Sequence, residues 1–160
     1  MKRLYITIII CVLMGVMVPC TEQTAVSKTS DTYTHYIYMI GHAGWLHYAV
    51  NTWTLLALHN LYRWYRVLTA YIVAVVISYI LFPPQPMVGA SVITCFFIGF
   101  WTSYMWRKET LGVLMNIALL ILTCLLPGFA GLPHLATYST GLIFGLIEKS
   151  VWRIRNYLKY

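Results

Sequence analysis

Residues 87–106 read MVGASVITCFFIGFWTSYMW, twenty residues without one charged side chain. An apolar run of that length predicts a helix of about 20 residues, enough to cross the ~30 Å hydrocarbon core of a bilayer. Five more apolar runs flank it, at 4–18, 45–61, 67–82, 111–126 and 132–147. Composition points the same way. The chain is 60% hydrophobic and 9% charged, with mean hydropathy +0.72, whereas an ordinary soluble domain is about 25% charged. The expected fold is therefore all-α and polytopic: one membrane domain over residues 1–160, a bundle of six transmembrane helices with an external loop at about 20–40. Thirteen Tyr and six Trp, many near the ends of the runs, suit interfacial belts.

Charge sets the expected orientation. With Lys2 and Arg3 cytoplasmic and every run crossing, Arg63, Arg66, Arg107, Lys108, Lys149, Arg153, Arg155 and Lys159 are cytoplasmic too, and only Lys28 is outside. That asymmetry predicts a multi-pass protein of the plasma (inner) membrane with both termini in the cytoplasm. The net charge of +7 is then an orientation signal and a contact with the lipid bilayer, and nucleic acid is not an expected partner. The first run, with Lys2-Arg3 before it and Val18-Pro19-Cys20 after it, also resembles a secretory signal or lipoprotein anchor; Pro19 is a poor residue before a processed Cys, and a retained helix is expected. Cys11, Cys95 and Cys124 fall inside apolar runs, where packing is the default role and no disulfide or metal framework is implied.

Five polar side chains break this pattern at one depth. The stretch 41–51, GHAGWLHYAVN, carries His42, His47 and Asn51 into the second helix from outside; Ser91 lies just inside the outer end of the fourth; His134 opens the sixth after Gly131-Leu132-Pro133. The four-residue step from His47 to Asn51 keeps both on one helix face. A serine hydroxyl is a weak nucleophile until a base takes its proton, and neutral histidine is the usual base, so Ser91 and His134 form a candidate pair. The oxyanion that develops needs donors, which His47, Asn51 and the Ser91 backbone N–H can supply. Gly89 and Ala90 leave little bulk beside Ser91, so a substrate backbone can approach. His35, His59 and Asn116 read as structural. Three histidines without a carboxylate or cysteine at ligand spacing argue against a metal site, and no cofactor is expected.

These residues resemble the rhomboid family of intramembrane serine proteases. Three motifs in order carry the resemblance: His42-x4-His47-x3-Asn51, Gly89-Ala90-Ser91, and His134 followed by Gly141 and Gly145. It extends from about Gly41 to Gly145. It implies hydrolysis of peptide bonds in or near transmembrane segments of substrate proteins, through an acyl-enzyme, by a Ser91/His134 dyad without a carboxylate. His47 and Asn51 would line the oxyanion site, with His42 supporting them. The spacing Gly141-x3-Gly145 would let the last helix pack closely on a neighbour.

Three positions depart from the family pattern. Val92 stands where a glycine is usual, and its branched side chain is expected to crowd the site or shift the helix start, so that Val92→Gly preserves or raises activity. Thr137 replaces a glycine and is expected to loosen the fit between the fourth and sixth helices. Cys95 replaces an aromatic residue that stacks on the histidine. The competing reading is a catalytically inactive rhomboid-like protein that binds or retains membrane proteins. A proton-relaying transporter is disfavoured by the lack of carboxylates in the apolar runs.

Overall fold

The computed structural model describes residues 2–81, 86–106, 108–125 and 131–157. Among them are eight α-helices: α1 (Lys2–Val16), α2 (Thr21–Thr24), α3 (Thr34–Ile37), α4 (Trp45–Ala57), α5 (Trp64–Ile80), α6 (Ser91–Met105), α7 (Thr110–Leu125) and α8 (Gly131–Tyr157). Tighter 3₁₀ turns occupy Val18–Cys20 and His59–Leu61. The connection expected at 82–86 falls largely outside the described residues, as do Arg107, Leu126, Lys159 and the Cys124 side chain.

The chain is helical as expected, but among the described residues no helix is long and apolar enough to cross a membrane. The expected six-transmembrane bundle, and with it the multi-pass location, is corrected on that finding. The helices α1, α4, α5, α6 and α7 have 15, 13, 17, 15 and 16 residues, about 20 to 26 Å against a ~30 Å hydrocarbon core. Two of the apolar runs, 45–61 and 87–106, are longer than the helices they form because their ends do other work. In the run 87–106, Met87 pairs as an isolated bridge with Val26 and Gly89 takes a positive φ of 116°, so α6 begins only at Ser91. In the run 45–61, α4 stops at Ala57 and the chain tightens into the His59–Leu61 turn, where the His59 ring meets the Leu56 carbonyl at 2.7 Å. Only α8 has the length, at 27 residues, but its first turns carry His134, Thr137, Ser139 and Thr140 and its last turns Glu148, Lys149, Arg153 and Arg155.

The backbones of α6 and α8 meet directly. A Cβ at Gly99 would stand 2.0 Å from the Tyr138 carbonyl oxygen, one at Gly141 2.0 Å from the Phe96 carbonyl oxygen, and one at Gly145 2.2 Å from the Ser103 hydroxyl. Only hydrogen fits at these crossings, which places the two helices in a fixed register. Farther along, the Arg66 guanidinium of α5 grips Glu148 of α8, with Nε 3.0 Å from Oε2, and lies 4.3 Å over the Phe100 ring of α6. This paired charge ties three helices at the end away from Ser91.

The amino-terminal part closes the opposite side. Cys11 and Met14 of α1 bury against Leu55 of α4 and Ala90, and the Tyr48 hydroxyl donates to the Cys11 carbonyl at 3.0 Å. The segment holding α3 lies on α5: Tyr38 is fully buried and donates to the Ala74 carbonyl at 3.0 Å, while the buried His35 ring meets the Ser78 hydroxyl at 2.9 Å and stacks on Tyr79. The loop residue His35 is thus a packing element. Large apolar side chains also stand in the open, among them Leu46, Trp53 and Trp64.

Candidate active site

Ser91 is presented by a turn held from two sides. The Val26 and Met87 N–H and C=O groups exchange two bonds of 2.8 Å, and the Gly89 N–H donates to the Tyr38 carbonyl at 2.8 Å. Gly89 occupies the left-handed region, where a side chain is strained, and its missing Cβ leaves room for the His47 ring, whose Cε1 would lie 2.6 Å from that Cβ. The chain then enters α6, whose first intrahelical bond runs from the Thr94 N–H to the Ala90 carbonyl at 2.9 Å. The N–H groups of Ser91, Val92 and Ile93 precede it, so the positive end of the helix dipole stands beside the serine hydroxyl.

His134 comes from the first turn of α8, where Pro133 is tolerated because no helical N–H bond is required there. Its Nε2 lies 2.7 Å from the Ser91 hydroxyl oxygen. With the ring proton on Nδ1, the serine O–H donates to Nε2. Burial lowers the His134 pKa to about 4, and the nearby His47 pushes in the same direction, so the imidazole is neutral at pH 7. Both residues are only partly buried, which leaves the pair open to a substrate. The carboxylate of α8, Glu148, lies 14 residues on and is held by Arg66, so it does not serve His134 as a third member.

His47, Asn51 and Leu55 recur every four residues and share one face of α4. His47 abuts Gly89, and Leu55 packs in the cluster that contains Ala90. Asn51, between them, therefore faces the turn that carries Ser91. Its side chain is buried, yet Nδ2 has no hydrogen-bond acceptor. A buried donor left unused costs about 1–3 kcal/mol. His42 is fully buried, with its ring 5.3 Å from His47 and 5.7 Å from Tyr48, so it backs the ring that abuts Gly89. Burial first, then His47, lowers the His42 pKa to about 4.

Two of the three departures from the family pattern, Val92 and Thr137, resolve differently from the expectation. Val92 does not crowd the serine: it is fully buried, among Val26, Tyr38, Met39, Ala74 and Met87. Thr137 does not loosen the helix pair. It is fully buried, and its hydroxyl donates to the Pro133 and His134 carbonyls at 2.9 and 3.0 Å, bracing the turn that carries the base. Cys95, one turn beyond Ser91, is partly buried. Sequence reasoning missed Gly99, whose close approach to Tyr138 complements Gly141 and Gly145, and the Tyr38 and Val26 backbone groups that hold the serine turn. Asn116, read as structural, donates to the Gly112 carbonyl at 2.8 Å within α7.

No family model, curated protein or solved structure matches the chain.

Proposed function

We propose that this protein is a rhomboid-type serine endopeptidase with Ser91 as nucleophile and His134 as general base. The observation that carries the reading is the 2.7 Å contact between the Ser91 hydroxyl and an imidazole kept neutral by burial. The base takes the hydroxyl proton as Ser91 attacks the scissile carbonyl, and the charge that develops on oxygen falls where the Ser91 N–H at the α6 terminus and the unused Asn51 Nδ2 supply donors. His134 then returns the proton to the leaving amine, and water, activated by the same imidazole, hydrolyses the acyl-enzyme. The three-motif resemblance suggests the substrate class: a peptide bond in or beside a membrane-spanning segment of another protein.

The test is labelling of the purified protein with a fluorescent fluorophosphonate, read by gel fluorescence and intact mass. One label per chain is expected, lost in both Ser91→Ala and His134→Ala. An unlabelled but folded wild-type chain would reject the enzyme and favour a rhomboid-like protein that binds its partners without cutting them.

A further inference from the structure

Where glycines bring α6 and α8 together, α7 stands apart from them. A cleft of about 540 Å³ opens between the three helices, with Ile117 on the α7 side and Leu135, Leu142 and Leu146 along α8. This volume lies in the range of small-ligand sites. Lys149 and Arg153 also line it, one turn apart on α8. The walls are apolar for most of their length, and the positive charge is confined to one end.

Neither cation has a carboxylate partner among the described residues, because Glu148 is taken by Arg66. The Lys149 ammonium reaches the Ser103 carbonyl at 3.2 Å and lies 5.6 Å from the Tyr104 ring, which holds it at the cleft without neutralising it. Arg153 is exposed. From Leu135, next to His134, to Arg153 the cleft follows α8 for about 27 Å. A long, half-open cleft whose exposed lining is mostly apolar, with the Ser139 and Ser150 hydroxyls among its edges, and which ends in two unneutralised cations, complements one chemical class. We propose that it binds a single-chain anionic amphiphile of the fatty-acid type, its hydrocarbon tail along Leu142 and Leu146 and its carboxylate between Lys149 and Arg153. Arginine's planar fork matches a carboxylate, and lysine adds a point charge beside it. The proposal is independent of the serine chemistry.

Trp106 lines the same cleft and is the reporter. Nitroxide-labelled stearate is titrated into the full-length chain while tryptophan quenching is followed, with Trp106→Phe identifying that residue's share. Palmitate, and hexadecylamine as its cationic counterpart, then compete. The expected result is one saturable site whose quenching is lost in Trp106→Phe and which palmitate, but not hexadecylamine, empties. Affinity should fall roughly fourfold for each methylene removed from the competitor. Arg153→Glu, an exposed substitution that leaves the packing intact, should weaken binding about tenfold by replacing an attraction with a repulsion. Non-saturating quenching, equal competition by the amine, or an Arg153→Glu chain that binds as well as wild type would overturn the proposal, since each describes detergent-like adhesion to the exposed apolar surface.

Discussion

A Cβ on residue 141 would stand 2.0 Å from the carbonyl oxygen of Phe96, so Gly141 and Phe96 fix the distance between the helix that carries the nucleophile and the helix that carries the base. The obstructing atom is backbone and has no rotamer through which to retreat. Gly141→Ala must push α8 from α6. Overpacking of this kind costs about 1–3 kcal/mol, and a shift of even 1 Å opens the 2.7 Å dyad contact. The expected outcome is a lower melting temperature and a loss of fluorophosphonate labelling of about a hundredfold. Labelling at the wild-type rate would show that the crossing does not position the pair.

Asn51→Ala separates function from stability. The side chain it removes carries a buried donor without an acceptor, so deleting it relieves a polar group that folding left unsatisfied. Against that stands the cavity left by the amide, and the two effects leave the melting temperature close to wild type. Turnover should fall by roughly 100- to 1,000-fold, the cost of one oxyanion donor. A variant that melts several degrees lower and still turns over normally would make Asn51 a packing residue.

The pH profile follows from burial. The base must be neutral to work, and His134 titrates at about 4, where an exposed histidine would titrate near 6.5. The labelling rate should stay level as pH falls from 8 to about 5 and halve near 4. Stability changes over a higher window. Because His42 and His134 have folded pKa values of about 4, the unfolded chain takes up protons between about pH 6.5 and 4 that the folded chain refuses, so stability declines as pH drops through that window. Thermal melts of the Ser91→Ala chain from pH 8 to 4 measure this decline without the labelling reaction. A labelling midpoint near 6.5 would mean that the imidazole is hydrated in solution.

The chemistry of the candidate site was legible in the sequence because it rests on residue types that are costly in apolar surroundings. Ser91, His134, His47 and Asn51 stand out of their apolar runs, and period-four spacing places the last two on one face. The runs 4–18, 67–82 and 111–126 give their helices to within three residues at each end, but the ends of α4, α6 and α8 were not legible, because hydropathy counts apolar residues and is blind to where the helix stops. Met87, Val88 and Gly89 continue the apolar run of α6 but lie outside the helix, with Met87 bridged to Val26 and Gly89, at a positive φ, donating its N–H to the Tyr38 carbonyl. Gly99 was hidden for a similar reason: one glycine in an apolar helix is ordinary until its partner, the Tyr138 carbonyl, is known.

Val92 is the position where sequence and structure lead to opposite experiments. Read as a bulky residue in place of a glycine, it calls for Val92→Gly as a gain of activity. In the structure its side chain is fully buried in the cluster of Val26, Tyr38 and Met87, the residues that hold the serine turn. Removing it leaves a cavity costing about 2–4 kcal/mol, and glycine in the first turn of α6 adds conformational freedom to the unfolded chain. For a chain of this size the melting temperature should drop by about 5–15 °C, and labelling should slow as the turn loosens. Val92→Ile, which keeps the branch, should label at close to the wild-type rate. Faster labelling in Val92→Gly at unchanged melting temperature would return Val92 to the site as an obstruction.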